Sequence, residues 1–187
     1  MTADAFVREA RVADAADLAR IQVASWRSQY AGVVPDPVLA ELTSGDAEDQ
    51  FRSQWESAAG RPPTARHRVL VAVETAAPRQ RVVAGFASCG PATDPDLWPA
   101  TDAEMYELDV SPEMAGRGHG SRLLNAVADT VRDDGFSTLC AWALESGSGI
   151  RAFLESSGWR ADGARAGLNM GTAVPVIRLH VAVAGAG

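Results

Sequence analysis

Three glycines stand at alternate positions, Gly116, Gly118 and Gly120, in the stretch SPEMAGRGHGSRLL that runs from Ser111 to Leu124. Arg117 and His119 lie between them, and an apolar-periodic segment follows directly. Glycines spaced in this way let backbone N–H groups point to one side and let a ligand approach with no Cβ in between. A helix that opens there adds its own unpaired N–H groups and the positive end of its dipole. The chemistry favoured is anion binding, most often of a phosphate. Two phosphate loops do not fit. A dinucleotide fingerprint needs G-x-G-x-x-G, and Ser121 occupies the slot of its third glycine. A nucleotide-triphosphate loop needs a Gly-Lys-Ser/Thr ending, and the run has no lysine.

The elements around this run are legible from periodicity and punctuation. Ala5 to Arg11 reads as a first strand, and a helix capped near Asp14 runs to about Ser28. Gly32 and Pro35 break it; another helix begins near Pro37, and a third spans Asp46 to Ala59, with Phe51 and Trp55 on one face. Arg68 to Glu74 and Val82 to Gly90 read as a hairpin turning through TAAPRQR, and Glu104 to Val110 as a strand stopped by Ser111-Pro112. The helix after the glycines extends to about Asp134, with Leu123, Leu124, Val127 and Val131 as its core face. Ser137 to Leu144 is a strand, SGIRAFLESSG a short helix, and WRADGARAGL and VPVIRLHVAV two final strands. Strand, helix and strand over 104 to 144 predict a parallel pair with a right-handed crossover. The rest reads as antiparallel, so the expected architecture is an α/β mixed sheet with helices on both faces.

The chain has 187 residues, 47% hydrophobic and 22% charged, which fits a single globular domain over 1–187. A net charge of −7 disfavours a nucleic-acid binder, which needs a basic face, and is compatible with a cationic substrate such as an amine. Cys89 and Cys140 have no neighbouring ligands for a zinc site and read as buried free thiols; no metal is expected. The opening MTADAFVREAR has no apolar core of a signal peptide, and no apolar run reaches the ~20 residues of a membrane span, so a cytoplasmic location without membrane partners is the default.

The glycine run, the strand before it and the helix after it resemble the pyrophosphate loop of the GCN5-related N-acetyltransferase (GNAT) family, which follows V-x-P-x with Q/R-x-x-G-x-G/A. The match falls on Leu108, Val110, Pro112, Gly118 and Gly120, with Gly116 as the usual extra glycine. Two more segments resemble the family, Ser25, Trp26, Tyr30, Gly32 and Pro35 early in the chain, and Phe153, Glu155, Gly158 and Trp159 late in it. Nearly the whole chain is covered. Three positions depart from the pattern. The first loop residue, Gln or Arg in the family, is Ala115; the tyrosine that often protonates the leaving thiolate falls on Leu154; and the asparagine ahead of that helix falls near Gly147. The backbone donors remain with Ala115, so binding is expected to survive; one charge-assisted bond of about 1.5–3 kcal/mol is lost, which Arg117 or Arg122 could partly replace.

The resemblance implies the GNAT acyl-CoA N-acyltransferase fold, a mostly antiparallel sheet with one splayed parallel pair. It implies acetyl-CoA as co-substrate, held in the opening between strands 104–110 and 137–144. Leu108, Asp109 and Val110 would contact the pantetheine arm, and Ala115, Gly116, Arg117, Gly118, His119, Gly120 and Ser121 the pyrophosphate. The thioester carbonyl would meet a backbone N–H near Leu108 to Val110. The reaction implied is transfer to a primary amine of a small molecule or peptide by direct attack. An ammonium must first lose a proton. Glu104 is favoured as base, with Glu107 next; solvated or arginine-paired carboxylates are the plain alternative. Strict alternation puts Tyr106, Leu108 and Val110 on one strand face and Glu107 and Asp109 on the other, with Glu104 on Tyr106's side. Tyr106 is either a half-buried sheet aromatic or the acid for the thiolate, and water is the other candidate. Tyr30 either lines the acceptor site or packs on Trp26. His119 reads as a solvated loop residue or a phosphate contact, and Trp98 as a cover or a plug. No role falls to His67 or His180. The departures at Ala115 and Leu154 motivate a rival, a non-catalytic acyl-CoA sensor of the same fold. A homodimer is left open.

Overall fold

β1 (Ala5–Glu9) is followed by α1 (Ala15–Gln29), α2 (Asp36–Leu42) and α3 (Gly45–Gly60), then by β2 (Arg68–Ala77), β3 (Gln80–Pro91) and β4 (Asp102–Val110). α4 (His119–Asp133), β5 (Thr138–Leu144), α5 (Gly149–Ser156), β6 (Arg160–Asn169) and β7 (Ala173–Ala182) complete the order. This computed structural model describes residues 5–77, 80–146 and 149–183. The expected order of elements is the order found, with shifts at the ends. β1 stops at Glu9 instead of Arg11 because the chain turns there: Asp14 accepts the Arg11 N–H at 2.7 Å and both arms of the Arg8 guanidinium at 2.7 and 2.9 Å. α3 opens one residue early on Ser44, whose hydroxyl accepts the Ala47 N–H. β2 and β3 absorb most of the expected TAAPRQR turn, of which residues 78–79 lie outside the described residues.

The strands form one sheet in the order β1-β2-β3-β4-β5-β7-β6. Alternate residues of each strand feed two cores. On one face Val71, Val73 and Phe86 meet Leu18 and Ile21 of α1 and Trp55 of α3. On the other, Leu70, Ala72, Met105, Leu139 and Leu179 meet Leu123, Leu124, Val127 and Val131 of α4 and Leu154 of α5. Each of the buried Val, Leu, Ile, Met and Phe side chains contributes about 1.5–3 kcal/mol. Both cysteines are buried and free. Among the described residues no helix is long and apolar enough to cross a membrane.

Two irregularities of β4 position the site. β4 and β5 are parallel and bonded only at Asp102–Thr138, Ala103–Leu139 and Glu104–Cys140. Beyond that point β4 stays bonded to β3 as far as Val110 and β5 to β7 as far as Leu144, so the two strands part with their facing edges unpaired. The second is a bulge. Ser88 of β3 faces Glu107 while Cys89 faces Met105, which leaves Tyr106 as an extra residue in β4. This corrects the strict alternation expected for the strand. The extra residue moves Glu107 and Asp109 together to the side of Glu104, with both under α1, while Leu108 and Val110 join Met105 on the α4 side. Tyr106 lies over Gly90, where a Cβ would stand 2.8 Å from its hydroxyl.

Candidate active site

The turn that joins β4 to α4 holds Gly116 and Gly118 at φ of 76° and 82°, in the left-handed region that favours glycine. Gly118 is the N-cap of α4. The Ala115 N–H bonds to Pro112 O at 3.3 Å and the Arg122 N–H to Gly118 O at 3.1 Å. Among the described residues, no protein acceptor takes the N–H groups between them, from Gly116 to Ser121. These donors open on a cleft of about 830 Å3 lined by Ala115, Gly116, Gly118, His119, Gly120 and Ser121, by Leu108 and Val110 of β4, and by Ile150 and Phe153 of α5. The arrangement can bind an oxyanion through main-chain donors and an extended amide chain along the open strand edges.

Glu74 on β2 ties this turn to the sheet. Its carboxylate lies 2.7 Å from His119 Nε2 and 3.0 Å from Arg117 Nη1. The His119 hydrogen bond, opposed by burial and assisted by Arg117, holds the Glu74 carboxyl below its usual range. His119 is therefore not a solvated loop residue, which was one of the two expectations for it. Its ring is buried, 1% exposed, because Glu74 draws it under the turn. Arg117 turns to Glu74 and away from the cleft, so it does not supply the charge missing at Ala115. Arg122 is the better placed cation: its Nη1 donates to Arg117 O and would lie 3.0 Å from a Cβ on Gly118.

A second cleft, of about 860 Å3, opens on the α1 side of β4. It shares Gln29, Leu108 and Ile150 with the first, so the two meet at β4. Glu104 stands in its wall, 7% exposed, at the last bonded pair before β4 and β5 part. Its Oε2 accepts the Thr93 N–H at 2.9 Å and the Thr93 hydroxyl at 2.7 Å, and among the described residues Oε1 is uncommitted. Among the described residues, Glu107 receives only a long 3.4 Å contact from Gln22 Nε2. Asp109 Oδ1 accepts the Ser25 hydroxyl at 2.5 Å and Gln29 Nε2 at 3.0 Å. Burial pushes the Asp109 carboxyl up to about 6, against those two bonds; burial and the Asp109 charge push Glu107 well above its ordinary value.

The expected residues thus divide. Glu104, Tyr106 and Glu107 line the second cleft, and Leu108 and Val110 reach the first. Asp109 does not join them at the first cleft, because its side chain lies under α1. The Tyr106 hydroxyl donates to Pro91 O at 2.6 Å and its ring stacks on His67, while burial and the Glu104 charge raise its pKa. Tyr30 packs edge-on to Trp26 at 5.5 Å, one of the two expectations for it, and also lines the second cleft. Burial and the Glu107 charge push it up to about 12. Trp98 is neither cover nor plug, being 68% exposed and outside both clefts. Leu154 is fully buried against the sheet, and Gly147 lies outside the described residues. Glu74, Thr93 and Gln29 escaped sequence reasoning. Gln29 had a signal: Leu18, Gln22, Ser25 and Gln29 follow helical spacing, so three polar side chains continue an apolar face and need partners in the sheet. Among the described residues no cluster of His, Cys, Asp and Glu could hold a metal.

A family model described as "Acetyltransferase (GNAT) family" matches residues 37–159. An "Uncharacterized N-acetyltransferase YuaI" of Bacillus subtilis (strain 168) is 31% identical over 144 residues, covering 77% of this chain and 74% of that protein. Solved structures with the same fold include an unproven acetyltransferase of the GNAT family from Desulfovibrio desulfuricans, with a TM-score of 0.70, 20% identity and coverage of 97% and 100% of the two chains. Another is the PaiA N-acetyltransferase of Thermoplasma acidophilum in complex with coenzyme A, with a TM-score of 0.69, 14% identity and coverage of 94% and 98%.

Proposed function

The chain belongs to the GNAT acetyltransferase family, and on that premise we propose that it transfers the acetyl group of acetyl-CoA to a primary amine of a small molecule or peptide, bound in the cleft beside Glu104. The observation that carries this reading is the parting of β4 and β5 after Glu104–Cys140, with a turn of unclaimed N–H groups at its mouth. Residues Gly116 to Ser121 receive the pyrophosphate, with Arg122 beside them. The open edges of 105–110 and 141–144 pair with the amide arm. The thioester supplies an activated acyl carbon near the closed end of the opening. Glu104 stands at that end and takes the amine's proton through Oε1, while Thr93 fixes the carboxylate through Oε2. The amine nitrogen forms the new C–N bond, the C–S bond breaks, and the thiolate takes its proton from water. The Tyr106 hydroxyl donates to Pro91 O and the Leu154 side chain has no acidic proton, so neither delivers it.

That lack of an acid also motivates the second reading, an acyl-CoA sensor. Calorimetry with acetyl-CoA and thiol release over a panel of primary amines separate the two. Binding with turnover is the expected result. Tight binding with no thiol release from any amine favours the sensor, and absence of binding overturns both.

A further inference from the structure

The acceptor cleft carries more negative charge than one amine requires. Asp94 in its wall is neutralised by Arg178 at 2.7 Å, and Arg165, its cationic member, is bound to Glu145. Glu104, Glu107 and Asp109 have no cationic partner among the described residues. Glu107 and Asp109 are two residues apart on one strand face, so their carboxylates are neighbours. Asp109 is 2% exposed; its Oδ2 is buried and has no hydrogen-bond partner among the described residues although the residue lines the cleft. A buried carboxylate oxygen without a donor costs about 1–3 kcal/mol or more. No lysine occurs anywhere in the chain, so all 17 of its lysine-plus-arginine total are arginines, and no ammonium of its own side chains can fill the gap.

Resting on the acetyltransferase reading, we propose that the Glu107–Asp109 pair is a subsite for a second ammonium group of the acceptor, which makes the acceptor class an aliphatic diamine or polyamine. Glu104 meets the reacting amine and the pair meets the distal one. Across the ladder Glu104 faces Gly90, Glu107 faces Ser88 and Asp109 faces Phe86. Two and four residues of strand correspond to about 7 and 13 Å, the span of a chain of some four to eight methylenes. Trp26, Tyr30 and Trp142 line the same cleft and offer aromatic faces to the methylene stem and the cation.

The test compares 1,5-diaminopentane with pentylamine, which differ by one ammonium. The full chain is assayed with acetyl-CoA for kcat/KM, and amine binding to the CoA-saturated protein is followed by calorimetry. The diamine should be favoured about 10- to 100-fold, the range of one buried charge-assisted contact, with the difference in KM. Glu107→Gln and, separately, Asp109→Asn should bring the diamine-to-monoamine ratio close to one, whatever their absolute rates. Turnover of both amines at equal kcat/KM overturns the subsite and leaves the acetyltransferase reading standing. A diamine preference untouched by either substitution overturns its assignment to this pair. No acetyl-CoA binding and no thiol release with any amine overturns the acetyltransferase reading, and the subsite with it.

Discussion

Single carboxylates are set apart in this site by what holds them. Glu104 has one oxygen fixed by Thr93 and one open to the cleft, the arrangement a positioned base needs. Glu104→Gln keeps the Thr93 bonds and loses the proton acceptor. Steady-state assays should show kcat reduced about 100-fold or more, with acetyl-CoA affinity by calorimetry unchanged. An unchanged kcat would remove Glu104 from the reaction. Asp109 makes a different prediction. Its carboxyl is raised from 3.8 to about 6 in the fold, so the folded state holds a proton that the unfolded chain releases. Stability from this group is therefore greatest at low pH and is lost as pH rises between those values. The difference corresponds to about 3 kcal/mol at most. Asp109→Asn keeps the Ser25 and Gln29 bonds to one oxygen and removes the buried charge, so a gain of about 1–2 kcal/mol is expected where the wild-type carboxyl is ionised. Thermal denaturation should show a Tm above wild type at pH 8 and the gain fading as pH falls towards 4. A gain that is independent of pH would contradict the burial argument.

At the scale of elements, α4 and its turn form one unit. Leu123, Val127 and Val131 fasten the helix to the sheet, and that packing aims the N–H groups of its first turn. Gly118 must adopt φ of 82°, which costs an L-residue about 1–2 kcal/mol. Gly118→Glu adds a carboxylate at the anion cradle, and calorimetry should find acetyl-CoA affinity lowered more than 100-fold, against about 10-fold for Gly118→Ala. Equal affinities in all three would place the coenzyme elsewhere. Glu74 anchors the same turn from β2 through His119 and Arg117. Its pKa is lowered in the fold, so its contribution to stability is present above the ordinary 4.5 and is lost as pH falls below it. Glu74→Gln should flatten that acid limb in a pH series of melting curves; a limb of unchanged steepness would show that the tie carries no stability.

For the whole molecule, the two clefts meet where one sheet opens, and much of this was legible in the sequence. Apolar periodicity and the Gly/Pro breaks gave the element order, and the run of 116, 118 and 120 marked the turn that opens α4 and lines the first cleft. The strand-helix-strand pattern over 104–144 marked the parallel pair. What was not legible depends on partners distant in the chain. The bulge at Tyr106 exists only against β3, and it decides which cleft Glu107 faces. The surroundings of Asp109 come from α1, with Ser25 84 and Gln29 80 residues away. His119 is buried because Glu74, 45 residues earlier, lies beneath it. Periodicity within a segment carries no information on such pairings.

On the proposed function, main-chain donors of the β4–α4 turn and the parted edges of β4 and β5 together receive acetyl-CoA. The most direct test of this is a backbone amide NMR titration of the full chain with coenzyme A. The largest shifts should fall on Gly116 to Ser121, on 105–110 and on 141–144, with the far edge at β1 unmoved. Saturable coenzyme binding that leaves the amides of Gly116 to Ser121 unshifted would contradict the account.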